Sequence, residues 1–247
     1  MAQVLHSLLM ELTALLCVIR FPEEYTSSII LYCHGLAIFH GMFDLFHLKA
    51  SDYPWYVFLV FCHVILWYWA PKIALAVFLP LSLYHFGSED AAVEMKSKKS
   101  FFKGLLVFSG ILYSDFGPTY LKELTSIDID QSFYAYFRYI MILAAYVYSF
   151  EAPPLVRIKT VLELIIFSQT NSFYAFSIYY LCSHCYYSTT SQWYLIKGKQ
   201  EVVFVTFLLI ASSWIFAISA FELSHFTVYL RYVSSLATPH IILSIIN

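Results

Sequence analysis

Apolar runs of roughly 20 residues follow one another along nearly the whole chain, and few architectures accommodate that pattern. The runs are 3–20, 26–47, 53–70, 72–88, 101–117, 132–150, 157–170, 172–190, 202–221 and 226–246. A helix crossing a lipid core needs roughly 17–25 such residues. The runs are too long, and alternate too little, for the strands of a membrane barrel. The expected fold is therefore all-α: a polytopic integral membrane helix bundle of eight to ten hydrophobic segments. The stretch 157–190 reads as two segments or as one broken element.

Composition narrows the choice further. Charged residues make up 12% of the 247 positions and hydrophobic residues 60%, with a mean hydropathy of +0.70. A water-facing domain carries about 25% charged residues, so charge is scarce for coating a surface. The net charge of −2 and the absence of a basic stripe exclude a nucleic-acid partner. Cys17, Cys33, Cys62, Cys182 and Cys185 all sit within apolar runs, which argues for packing rather than a disulfide framework. The first run contains His6 and Glu11 and lacks a basic leader, so it reads as a short first span rather than a cleaved signal.

Punctuation agrees with these limits. Pro54, Pro71, Pro118 and the Pro153–Pro154 pair fall at segment boundaries, whereas Pro80 and Pro239 fall inside segments, a few residues from a histidine. With all ten segments spanning, the even-numbered connections hold nine Lys and Arg and the odd-numbered ones three. That bias puts both termini in the cytoplasm and the chain in the cell membrane as a multi-pass protein.

Ionisable groups inside apolar runs are costly and mark a cavity, a partner or a metal. His40, Asp44 and His47 are spaced i, i+4, i+7 and share one helical face, with Gly41 beside His40 to admit a neighbouring helix. Asp44 is placed to accept from an imidazole N–H, as the outer carboxylates of metal sites do. His85 and Glu89 are one turn apart in the block His85-Phe-Gly-Ser-Glu-Asp90, where Glu89 and Asp90 read equally as functional groups or as boundary markers. His184 lies within Tyr179-Tyr-Leu-Cys-Ser-His184-Cys185, and His240 within Thr238-Pro-His240. His6, His34, His63 and His225 lack supporting neighbours and read as structural. Neutral imidazoles from separate helices with few thiolates suit Fe, Zn or Cu. Phe173, Tyr174, Phe176, Tyr179 and Tyr180 read as packing aromatics or as a ring-lined tunnel for a long apolar ligand.

The four blocks, in this order and approximate spacing, resemble the Brp/Blh family of membrane β-carotene 15,15'-dioxygenases. The resemblance covers residues 26–247 as a family-like core and leaves 1–25 as an N-terminal extension helix on a single transmembrane domain. It implies an Fe(II) site that uses O2 to cleave the central double bond of β-carotene into two retinal molecules. It also implies surrounding lipid and a functional link to a rhodopsin that receives the retinal. By motif match His40, His85 and His184 fall on iron ligands and Asp44 on the acidic position. Phe173, Tyr174, Tyr179 and Tyr180 are the candidate substrate contacts. The family's third block carries a second histidine one turn after the first, where this chain has Ser188. Either His240 or His47 completes the site, or the iron keeps an extra open position, or activity is lost. Two other functions share these residues: a non-catalytic carotenoid- or retinal-binding protein, and a metalloenzyme acting on another isoprenoid lipid.

Overall fold

In a computed structural model of the chain, the described residues are 1–20, 53–94, 99–113, 121–122, 125–126, 130–169, 178–192 and, near the C-terminus, 231, 234–235, 237–239 and 241–242. Their elements are all helical. They comprise α1 (Ala2–Arg20), α2 (Tyr53–Trp69), α3 (Pro71–Glu94), α4 (Ser100–Tyr113), α5 (Gln131–Ser149), α6 (Pro154–Gln169), a π-helical stretch Tyr180–Cys185, and α7 (Tyr186–Gln192).

Local chemistry sets several of the boundaries. Asp130 caps α5 by accepting from the Ser132 N–H at 2.8 Å, satisfying one of the donors a helix start leaves open. The Phe150 N–H closes the other end on the Tyr146 carbonyl. Pro71 and Pro154 occupy the first positions of α3 and α6, where a missing N–H costs no helical bond. The turn between α5 and α6 contains Glu151 at φ 61°, in the left-handed region.

The chain divides into two compact units, residues 1–34 with 82–187 and residues 35–81 with 188–247. In the first unit, α4 packs along α5, and α6 lies against α1, α4 and α5, while the π-helical stretch meets α1. Leu106, Met141, Ala144, Ile166, Phe167 and Tyr179 are buried together at its centre. Buried positions on α1 (Val4, Ser7, Glu11, Leu15) and on α6 (Val156, Lys159, Thr160, Glu163, Ile166, Phe167) recur every three or four residues, so each helix turns one face inward. Those inward faces carry charge, and the outward face of α6 carries Ile158, Val161 and Ile165. In the second unit, His63 of α2 stacks with Phe78 of α3 and lies beside Trp67.

Among the described residues no helix is long and apolar enough to cross a membrane. This corrects the expected polytopic integral membrane bundle, and with it the multi-pass location in the cell membrane and the cytoplasmic N-terminus. The physical reasons differ from helix to helix. The most apolar, α2, has 17 residues and reaches about 25 Å, short of the roughly 30 Å of a hydrocarbon core. With 14 residues, α4 reaches only about 21 Å. Helix α3 is long enough, at 24 residues, but bears Lys72, Glu89, Asp90 and Glu94. Polar residues dilute the others: Glu11 and Arg20 in α1, Gln131, Ser132 and Arg138 in α5, and Arg157, Lys159 and Glu163 in α6. The expected segments 26–47 and 202–221 lie outside the described residues.

Candidate metal centre

His85 and Glu89 share one face of α3, four residues apart, as their spacing predicts. Nδ1 of His85 lies 3.6 Å from Glu89 Oε1. The π-helical stretch brings His184 to the same place: its Nε2 is 3.7 Å from Glu89 Oε2, and its ring centroid is 5.0 Å from that of His85. Among the described residues these three form the one group whose nitrogen and oxygen atoms lie close enough together, within 4.8 Å, to hold a metal ion.

His184 lies in a π-helical stretch. In an α-helix each residue turns about 100°, so four in succession sweep most of the circumference. The wider π turn, a form that recurs at functional sites, runs through Cys182, Ser183, His184 and Cys185, all of which are buried. Phe86 packs on the His184 ring with centroids 4.2 Å apart, and Tyr180 stacks almost parallel to it at 5.7 Å. Phe108 packs edge-on against Phe86 at 5.7 Å. Cys182 and Cys185 are buried and form no disulfide, and burial, followed by the nearby Glu89, pushes the Cys185 thiol well above its ordinary value.

Asp90, the neighbour of Glu89 in sequence, approaches the opposite side of the imidazole. Its Oδ1 is 3.2 Å from His184 Nδ1, and the Tyr179 hydroxyl donates to its Oδ2. Burial raises the Asp90 carboxyl to about 6, against the pull of the Lys103 ammonium. Beyond Tyr179 lies a buried ionic cluster. Lys103 donates to both oxygens of Glu163 (2.6 and 2.7 Å) and to Glu94 at 3.2 Å. Lys159 donates to Glu163, to Glu11 at 3.0 Å and to Ser183 Oγ at 2.7 Å. Tyr148 donates to Glu94 at 2.6 Å. Lys103 sits over the rings of Tyr148 and Tyr179, and Lys159 over that of Tyr187, at 5.4–5.7 Å.

Of the residues singled out in the sequence, His85 and His184 are brought together. Tyr180 stacks on His184, and Tyr179 is tied to Asp90 through its hydroxyl. His40, Asp44, His47, Phe173, Tyr174 and His240 lie outside the described residues. Ser188 is buried, one turn after His184. His63 proves to have a neighbour after all, since its Nδ1 is 2.7 Å from Thr238 Oγ1, within the Thr-Pro-His block. The pairing of Asp90 with His184 and the whole ionic cluster were missed. The i, i+4 spacing of Lys159 and Glu163 was the available signal for the cluster. Searched against protein-family models, curated proteins and solved structures, the chain matches none.

Proposed function

We propose that the chain is a non-haem iron dioxygenase that cleaves β-carotene at its central double bond to give two retinal molecules, with His85, Glu89 and His184 as iron ligands. One observation carries the metal part: His184, from the π-helical stretch, converges on the His85–Glu89 pair of α3, which its distance along the sequence does not require. Two histidines and one carboxylate with open positions remaining are the ligand set of non-haem Fe(II) oxygenases. Two ligands side by side on a first-row metal are about 3 Å apart, and the 3.6 and 3.7 Å separations from the two oxygens of Glu89 are near that spacing, with all three groups offering atoms within 4.8 Å of one another. Bound Fe(II) would supply activation of O2.

The substrate rests on the resemblance of the motif order to the Brp/Blh family and on the character of the surroundings. A polyene offers no acid or base to grip, so recognition falls to apolar burial and ring contacts. Phe86, Tyr180 and Phe108 supply rings beside the ligands. Glu89 stands as a ligand beside His85 and His184 where the resemblance puts a further histidine at the position of Ser188, and His40, the other ligand it implies, lies outside the described residues. A carboxylate there meets the need for which His240 or His47 was considered opposite Ser188.

Expression in a bacterium that makes β-carotene, with retinal and metal measured, tests this reading. The wild-type chain should bleach the cells, accumulate retinal and purify with iron. His85→Ala, His184→Ala and Glu89→Gln should each lose iron and retinal together. Pigment that co-purifies intact under air would make the chain a carotenoid-binding protein. Iron without retinal would point to a different isoprenoid substrate.

A further inference from the structure

Two consecutive residues of α3 flank the two nitrogens of one imidazole: Asp90 lies at Nδ1 of His184 and Glu89 at Nε2. Only the Asp90 contact is within hydrogen-bond range, at 3.2 Å against 3.7 Å. Both Asp90 and His184 are fully buried, and Asp90 is itself held from behind by the Tyr179 hydroxyl. Tyr179 in turn is pinned by Phe86 and Phe167, at 6.3 and 5.9 Å between centroids, and by Lys103 over its ring.

We propose that Asp90 is the positioning residue of the centre: anchored by Tyr179, it keeps the proton of neutral His184 on Nδ1 and turns Nε2 toward Glu89 and His85. A neutral imidazole has one proton and one lone pair, and the partner of one nitrogen decides which nitrogen keeps the proton. A carboxylate can only accept, so the nitrogen facing Asp90 is the donor. The lone pair is then on the nitrogen that faces the other two ligand groups. Tyr179 adds direction, because its donation to Oδ2 fixes the carboxylate plane and leaves Oδ1 for His184. This resembles the role that the sequence offered to Asp44, filled here by a residue of α3.

The consequence for metal affinity rests on the proposed centre, but the tautomer does not, and the two are measured separately. The full chain, labelled with 15N-histidine and free of metal, is examined by long-range proton–nitrogen correlation well above the ordinary histidine value of about 6.5. His184 is expected as the Nδ1–H tautomer. In Asp90→Asn, Tyr179 still donates to the amide oxygen, so the NH2 group faces Nδ1 and the tautomer switches to Nε2–H. Co(II) titration followed by its visible absorption should show affinity falling about 10–100-fold in Asp90→Asn. Tyr179→Phe, which retains the carboxylate, should show a smaller fall and an altered Co(II) spectrum. An Nε2–H tautomer in the wild-type chain would overturn the proposal without recourse to any variant. So would an Asp90→Asn chain with unchanged tautomer and Co(II) affinity. The expected tautomers with no Co(II) uptake by the wild type would uphold the role of Asp90 and remove the metal centre instead.

Discussion

Glu11 of α1 and Lys159 of α6, 148 positions apart, meet at 3.0 Å with neither side chain reaching the surface. The contact ties the first helix to the ionic cluster, since Lys159 also holds Glu163, Glu94 (3.2 Å) and, through Ser183, the residue next to His184. Burial works against the charge on Lys159, and Glu11 followed by Glu163 outweighs it, holding the ammonium protonated well above its ordinary range. Glu11 goes the other way. Burial lifts its carboxyl to about 8 despite Lys159, and its Oε2 has no hydrogen-bond partner among the described residues.

The two ends of this contact should therefore respond differently to substitution. Lys159→Met leaves several carboxylates without their cation in a dry interior and should cost about 3–5 kcal/mol. Glu11→Gln replaces a carboxyl that is mostly protonated near neutrality with an amide of the same shape, and should cost less than about 1 kcal/mol at pH 7. Denaturant unfolding of the two variants, followed by helical circular dichroism, reads the difference directly. Equal losses would mean that Glu11 is ionised in the folded chain.

The same groups set a pH dependence of definite sign. From its ordinary 4.5 up to about 8, folded Glu11 retains a proton that the unfolded chain has released. Its contribution makes stability fall as pH rises through that window. Asp90, raised to about 6, acts with the same sign below that value. Glu94 is opposite. Burial would raise it, but Lys103 and then Lys159 hold it at about 2, so its contribution is complete above 4.5 and is lost as pH falls toward 2. His63, lowered by burial from 6.5, also loses stability as pH falls through that value. Urea midpoints of wild type and Glu11→Gln, compared between about pH 6 and 8, isolate the first effect. The wild type should lose stability relative to the variant as pH rises across that interval.

Helix positions were legible because apolar length and proline punctuation are local signals. The expected 53–70 and 132–150 fall within a residue of α2 and α5 at each end. His85 and His184 were legible as polar anomalies in apolar surroundings. The ionic cluster was not, because partners as far apart as Glu11 and Lys159 share no local pattern. Lys103, one of the nine Lys and Arg assigned to the even-numbered connections, lies in the first turn of α4, fully buried. Counting Lys103 and Lys159 toward membrane orientation treated paired interior charges as solvated ones. Asp90 was hidden by a different cause: residues 89 and 90 point about 100° apart on a helix, and that both reach one ring depends on where His184, 94 positions beyond Asp90, is brought.

Close approach of α3 and α4 gives a third expectation. An alanine Cβ at Gly104 would fall on the Leu83 carbonyl, and one at Gly87 on the Ser100 carbonyl, so each helix meets bare backbone on the other. Main-chain atoms cannot rotate away as a side chain can. Gly104→Ala should cost at least about 1–3 kcal/mol, and because Leu83 is two residues from His85 it should also weaken Co(II) binding. Thermal unfolding and metal titration of the one variant check both parts.

In the second unit, the Thr238 hydroxyl donates to the Ser234 carbonyl at 2.8 Å and lies 2.7 Å from His63 Nδ1. A hydroxyl has a single proton, so with that proton on Ser234 the oxygen is left to accept from the imidazole N–H. Thr238→Val keeps the shape and removes this acceptor from a buried imidazole that retains its backbone contacts to Ala74 and Ser234, at a cost of about 0.5–1.5 kcal/mol. Because the imidazole is only 4% exposed, water cannot replace the lost partner cheaply. The loss should appear as a lower denaturant midpoint with an unchanged slope, the mark of altered stability without altered unfolding. A Thr238→Ser variant, which keeps the hydroxyl and lacks the methyl, should lose much less, whereas equal loss in both would mean that the hydroxyl contact contributes no more than the packing of the methyl group.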